Sequence, residues 1–438
     1  MLKREKKYIP ICKQMSHFRL PTSVTKPSSG SQGLRYDAVS PTSALPNGGL
    51  GGGSVTFQID TPANNWFLPS MSYFDFRLVV TKTLGATTGP IAIPDGNPES
   101  DGVVYDTVQF AEYPASQIVS NYSHSIAGVT LENVSDCAEA SSIQMRTMLN
   151  KEIVDTLGSS FRIHDAQTGI NSRLVSPRGS LQPWDSALTK FSCAYQPPGS
   201  LFDYDGGLPG MKQRITLTLD SMLRKCLLSK VTENTNTYKV VIDSITFYAA
   251  HVIPAYDIPI PPVVKLSLEM RGVTKQFHNG SSATHSFSVP ASTDRVYVFK
   301  NTQVATGSLG SAPHQFDADI SDLEMSYAGQ RAPALAYSSM AEPAEHDTLR
   351  AFWDFAMSTG HILRSNGLQD NEISWAVSPV YAGIFDKPEG DTSTNLTVRS
   401  KASTEGNIGV CHVSHKVAVL SFDEAGICTG LVVQENLM

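Results

Sequence analysis

Apolar and polar residues alternate with a period of two along most of this chain. Val55-Thr56-Phe57-Gln58-Ile59, Tyr73-Phe74-Asp75-Phe76-Arg77-Leu78-Val79-Val80, Arg214-Ile215-Thr216-Leu217-Thr218-Leu219 and the segments 117–126 and 238–248 all carry this rhythm. They are rich in β-branched and aromatic residues and bounded by Pro or Gly, so each predicts a strand with one buried face. In the second half the same pattern marks 263–270, 285–289, 295–299, 380–385, 394–399, 410–422 and 427–434. Two segments change period. Between 136 and 157, Met145, Met148, Leu149, Ile153 and Leu157 recur at helical spacing, with Asp136 and Glu139 as a capping pair and Gly158 as the stop. A second helix is predicted over 343–360: Pro343 suits a first turn, Glu345 and Asp347 follow it, and Leu349, Phe352, Trp353 and Ala356 share one face. That face places Trp353 in the core.

The chain repeats this order. Ser125-Ile126-Ala127-Gly128 precedes the first helix and Ser326-Tyr327-Ala328-Gly329 the second; Leu217-Thr218-Leu219 follows one and Leu396-Thr397-Val398 the other. Strands, a single helix in a long loop, then strands again predict a mainly β fold of two tandem eight-stranded jelly rolls. The prolines of 254–262 favour a stiff extended connector between a first domain at 54–253 and a second at 263–438. Residues 1–53 read differently. Within the first 26, Lys3, Arg4, Lys6, Lys7, Lys13, Arg19 and Lys26 stand against the single acid Glu5, and a later Ser/Pro/Gly stretch ends in Gly48-Gly49-Leu50-Gly51-Gly52-Gly53. This predicts a basic, flexible N-terminal arm on a Gly-rich hinge. The glycines precede a strand-like segment, so a phosphate cradle is disfavoured.

Several segments resemble double jelly-roll viral major capsid proteins. Asp60-Thr61-Pro62 and Phe67-Leu68-Pro69-Ser70-Met71-Ser72-Tyr73-Phe74-Asp75-Phe76-Arg77 look like the opening strands of that family. Glu324-Met325-Ser326-Tyr327-Ala328-Gly329-Gln330-Arg331-Ala332-Pro333 is similar to the matching place in its second barrel. Asn395-Leu396-Thr397-Val398-Arg399 and Lys416-Val417-Ala418-Val419-Leu420-Ser421-Phe422 look like its closing strands. The resemblance covers most of 55–438 in order of elements. It implies homotrimers of pseudo-hexagonal outline that tile an icosahedral shell, mostly around DNA genomes and often over an internal membrane. Its implied partners are other copies of the chain, neighbouring trimers, and penton or minor capsid proteins; the implied location is the virion, after synthesis inside a host cell. Two barrels per chain and three chains per trimer give six similar corners. The segments 158–212 and 300–320 would then be tower or intersubunit loops.

Composition agrees with a self-associating protein. Charged residues are 17% of the 438, below the roughly 25% of ordinary soluble domains, which fits large buried interfaces. The net charge of −7 argues against a chain that coats nucleic acid along its whole surface, so any such contact is local. The arm is the place for it. Lys3, Arg4, Lys6, Lys7 and Lys13 are the candidate contacts to phosphate of a genome or of lipid, while Tyr8, Ile9, Ile11, Met15 and Phe18 interleave with them. Genome, inner membrane face and neighbouring capsomer all remain open as its target. Cys12, Cys137, Cys193, Cys226, Cys411 and Cys428 lack metal-motif spacing and read as free, mostly buried thiols in a reducing compartment. No apolar run follows the basic N-terminus, so no cleaved signal is expected, and the Asn-x-Ser/Thr matches at Asn121, Asn133, Asn279 and Asn395 read as chance.

No catalytic constellation stands out, and neither enzyme activity nor a cofactor is expected. His412 and His415, with Cys411 and Cys428 nearby, are the best metal candidate, but on a strand the two imidazoles point to opposite faces. Asp317, Asp319 and Asp322 form a D-x-D-x-x-D cluster without the glycine and glutamate of a calcium loop, and read as a turn. Glu342 and Glu345 read as helix-start acids. Of Trp66, Trp184, Trp353 and Trp375, only Trp184 reads as exposed. The competing classes are a carbohydrate-binding or fibre-type viral β-protein and, behind it, a two-domain β-sandwich hydrolase.

Overall fold

Period-two alternation becomes two facing sheets in each half. The structure, a computed structural model, describes residues 31–62, 65–84, 87–90, 108–110, 113–148, 190–204, 206–229, 238–254, 260–301, 316–337, 346–359, 375–376, 378–386 and 392–435. The first half contains β1 (Ser31–Val39), β2 (Gly53–Asp60), β3 (Tyr73–Leu84), β4 (Val119–Ile126), β5 (Val129–Ser135), helix α1 (Cys137–Met148), β6 (Lys190–Tyr195), β7 (Lys212–Leu219) and β8 (Tyr238–Pro254). These pair antiparallel in the orders β1-β8-β3-β6 and β2-β7-β4-β5. The second half contains β9 (Val263–Asn279), β10 (Ser282–Ser288), β11 (Thr293–Asn301), β12 (Ser321–Tyr327), β13 (Gln330–Tyr337), helix α2 (His346–Thr359), β14 (Tyr381–Ile384), β15 (Asn395–Lys401), β16 (Glu405–Phe422) and β17 (Cys428–Glu435). Its sheets, β9-β16-β11-β14 and β10-β15-β12-β13, repeat the first half position by position, and β17 lies beside β16 where the first half has only the two-residue strand Trp66–Phe67 beside β8. The helices take equivalent places, α1 between β5 and β6 and α2 between β13 and β14. Each half is a jelly roll.

The inward residues fill the cores. Val55, Phe57 and Ile59 of β2 are buried with Phe74, Phe76 and Leu78 of β3, Phe57 meeting Phe74 edge-on at 5.1 Å. In the second barrel Met325 and Tyr327 are buried with Val296, Val298, Ile408 and Val410. Helix α2 lies over the β11–β14 side, where Phe355 packs on Tyr297 and Trp375. No described helix is long and apolar enough to cross a membrane.

The repeated Ser-x-Ala-Gly has a structural cause: it is the hairpin turn joining β4 to β5 and β12 to β13. Ala127 and Gly128 have φ of 50° and 79°, Ala328 and Gly329 of 51° and 76°. Positive φ at both central residues is the turn that suits the twist of a two-residue hairpin. A strand therefore separates each motif from its helix. The other proposed match is displaced. Ser125 pairs with Arg214 and Ser326 with Thr397, so Leu396-Thr397-Val398 is equivalent to Gln213-Arg214-Ile215 rather than to Leu217-Thr218-Leu219.

Residues 31–53 do not form part of the expected arm, and residues 1–30 lie outside the described residues. Residues 31–39, placed in the arm by their Ser and Gly, form β1 and pair with β8 from Val39↔Phe247 to Ser31↔Pro254. The glycine run is a packed crossing between sheets, not a free hinge. A Cβ on Gly49 would sit 2.1 Å from the Ile242 carbonyl oxygen, and one on Gly51 2.1 Å from that of Asp220. Both residues have positive φ, so glycine is required there for two reasons. The first set of strands closes at Pro254 and the second opens at Val263, on either side of the proline-rich segment.

Candidate assembly surfaces and the junction between the barrels

Helix α2 has two faces. Thr348, Ala351, Phe355, Ala356 and Ser358 are buried, while Leu349, Trp353 and Met357 are 51%, 55% and 42% exposed. Spaced at i, i+4 and i+8, these three form one apolar stripe directed away from the core. The expectation that Trp353 belongs to the core is therefore corrected: Phe355 and Ala356 take the core side instead. Two polar grips fix the helix to β13. Arg350 donates to the Ala336 carbonyl at 3.0 Å and lies over the Tyr337 ring at 4.9 Å, and the Tyr337 hydroxyl donates to Asp354 at 2.6 Å. Leu335, one residue before that gripped carbonyl, is 72% exposed.

The barrels meet through a closed apolar seam. Ile126, Leu131, Leu201, Leu208 and Met211 of the first barrel are buried in one cluster with Leu266, Leu268, Leu420 and Leu431 of the second. Beside it, buried and half-buried charges cross the junction. Arg271 of β9 donates to Asp203 at 2.5 Å, and Gln144 of α1 donates to the other oxygen of that carboxylate at 2.8 Å. Lys275 binds Asp136 at 2.7 Å and Glu139 at 2.8 Å, so the two acids at the helix start also attach it to the second barrel. On β9 and β11, burial opposes the charge of Glu269, but Arg295 at 2.7 Å outweighs it and holds the carboxyl below its usual range. His415 donates to Asp294 at 2.8 Å; that hydrogen bond raises the imidazole pKa and lowers that of Asp294 against the opposing effect of burial.

The metal candidates are not brought together. Cys411 points into the core, its thiol pushed up to about 12 by burial, while His415 is engaged with Asp294. Among the described residues no group of three His, Cys, Asp or Glu side chains could hold a metal ion. The aspartate cluster takes a lysine. Lys300, fully buried, donates to Asp317 at 2.8 Å, Asp319 at 3.1 Å and the Thr404 hydroxyl at 2.7 Å. Burial works against the Asp319 charge, yet hydrogen bonds from Thr404 and Ser403 win and hold the carboxyl well below its usual range. Asp322 stands apart, exposed at the start of β12. Lys300 closes the apolar run Val296-Tyr297-Val298-Phe299, a position where alternation gave no reason to expect a buried charge. Lys3, Arg4, Lys6, Lys7, Lys13, Cys12, Trp184, Glu342 and Glu345 lie outside the described residues.

Fold and junction together define a double jelly roll held as one unit. Solved structures share this architecture: a chain of the Sputnik virophage, with 13% identity and a TM-score of 0.62 over 100% of this chain and 94% of that chain. The mavirus major capsid protein matches at 12% identity and a TM-score of 0.55, covering 100% of this chain and 96% of its own. The Faustovirus major capsid protein matches at 9% and 0.50, over 93% of each chain. No protein-family model and no curated protein sequence matches.

Proposed function

We propose that this chain is the major structural subunit of an icosahedral virus shell, acting by self-assembly and not by catalysis. The observation that carries the reading is the pair of equivalent barrels locked at a buried junction, an architecture it has in common with the capsid proteins of mavirus and Faustovirus. A trimer of such chains presents six similar corners and tiles a sixfold lattice with a single gene product. Its place is the virion, with penton or minor capsid proteins as further partners. The α2 stripe is the contact between copies: Leu349, Trp353 and Met357 are too large and too contiguous to be left in water without a partner. The basic arm, now limited to residues 1–30, supplies Lys3, Arg4, Lys6, Lys7 and Lys13 to phosphate of genome or lipid inside the shell.

Light scattering tests this. Wild-type protein is expected as a trimer or larger particle, with interfaces of more than about 2,000 Å². The double variant Leu349→Asp with Trp353→Asp, both exposed in the subunit, is expected to stay folded and to shift to monomer. A wild type that is a stable folded monomer at micromolar concentration contradicts the proposal.

A further inference from the structure

The turn between β9 and β10 carries Asn279-Gly280-Ser281, and its hydrogen bonds are of the kind that activate an asparagine towards its own backbone. The Gly280 N–H donates to Nδ1 of His278 at 3.2 Å, and the Ser281 hydroxyl donates to Oδ1 of Asn279 at 2.7 Å. The first contact holds the backbone proton on a base; the second draws electron density from the side-chain carbonyl carbon. Asn279 and Ser281 are exposed, so water reaches the turn, whereas His278 is buried. Gly280 has a φ of +71°, and a Cβ there would lie 3.1 Å from the backbone carbon of Thr404. A side chain at this φ is strained and crowded, and glycine leaves its own nitrogen least shielded.

We propose that Asn279-Gly280 is a self-modification site, with His278 as general base and Ser281 as the donor that polarises the asparagine side chain. The Gly280 N–H bond breaks and its proton passes to Nδ1 of His278, while the nitrogen forms a bond to Cγ of Asn279. The Cγ–Nδ2 bond then breaks, the proton moves from His278 to the departing nitrogen, and ammonia leaves. Water opens the resulting five-membered imide at one carbonyl to give aspartate or at the other to give isoaspartate; nothing is oxidised or reduced. Either product places a new carboxylate at the tip of the turn, beside the Ser403-Thr404-Glu405 segment on which Gly280 packs.

The surroundings of His278 favour the basic role. Its ring faces His285 of β10 at 5.4 Å, Lys300 of β11, Asp319 beyond β11 and the Ser400 backbone of β15. Burial, with Lys300 acting in the same sense, holds its pKa below the ordinary imidazole value, so the ring is neutral and Nδ1 free to accept at physiological pH. Another Asn-Gly pair is a built-in comparison. The Asn47 side chain donates to the Gly51 carbonyl at 2.8 Å, an arrangement that does not activate its own carbonyl carbon. Asn366-Gly367 lies outside the described residues.

The test is peptide mass analysis of the full-length protein incubated at neutral pH, scoring the amide-to-acid mass gain and isoaspartate at each site. Folded protein is expected to convert Asn279 about tenfold faster than Asn47, a modest share of what positioned acid–base groups achieve. In denaturant the two sites should proceed alike. His278→Gln should slow Asn279 about tenfold in the folded protein only, and Ser281→Ala several-fold. The wild-type rate should level off above the titration of His278 instead of climbing with hydroxide. A folded rate at Asn279 no greater than at Asn47, or a rate proportional to hydroxide through neutrality, overturns the proposal. Should His278→Gln fail to fold, Ser281→Ala and the pH profile decide the matter.

Discussion

Single residues set the turns and the pH response. Gly128 and Gly329 occupy the same position in equivalent hairpins, with φ of +79° and +76° and nothing within 4 Å of a Cβ placed on either. The cost of an alanine there is backbone strain alone, about 1–2 kcal/mol. Gly128→Ala and Gly329→Ala are therefore expected to destabilise by equal amounts in denaturant titrations; a large difference would argue against equivalent turns. His124 lies fully buried in a chain of contacts: Nδ1 is 2.9 Å from the Tyr122 hydroxyl, which is 3.1 Å from Glu132, and Nε2 is 2.9 Å from Gln213. Burial pulls its pKa down to about 4 despite the Gln213 bond. The unfolded chain binds that proton near pH 6.5, so the stability due to the neutral ring is complete above about 6.5 and lost as pH falls towards 4, on the order of 3 kcal/mol. Glu132, raised by burial, acts in the opposite sense. Comparison with His124→Gln isolates the term: the wild-type melting temperature should fall more steeply across this window than the variant's, and equal slopes would contradict the assignment.

At the scale of elements, alternation exposed many of the strands with one wet and one buried face, such as β2, β7 and β15, but not β5, nor β6, which lies inside the segment 158–212 read as a loop. It could not expose β1. Leu34, Arg35, Tyr36 and Ala38 are all exposed, and the strand is held by main-chain pairing to β8. An edge strand without a buried face reads as linker. The same reasoning explains Trp353: helical spacing showed that α2 is amphipathic, yet the helix carries apolar residues on both its core side and its outer stripe, and spacing alone does not choose between them. The buried charges Arg271 and Lys300 and the half-buried Asp203 were illegible because their partners come from distant parts of the chain. Deleting residues 1–30 is expected to leave the melting temperature unchanged. Deleting 1–39 should lower it by more than about 5 °C, since the β8 backbone from Phe247 to Pro254 loses its partner. Equal melting temperatures for the two truncations would contradict the pairing of β1.

For the whole molecule, the junction decides whether two barrels behave as one body. The seam draws on both halves, and the Arg271–Asp203 pair beside it is largely desolvated, with 4% and 18% of the two side chains exposed. Removing one member of such a pair leaves an uncompensated charge, so Arg271→Ala should cost about 3–5 kcal/mol. Calorimetry of the wild type should show a single cooperative transition, and two separate ones would mean that the barrels are independent. The proposed role as a lattice subunit requires that the two barrels keep one orientation, because a loose junction would let the corners of the proposed trimer drift out of hexagonal register.

Electron microscopy of the purified protein decides whether it is a shell subunit. Particles of pseudo-hexagonal outline built from three chains, alone or joined into closed shells, are expected. A field of uniform folded monomers would contradict that role.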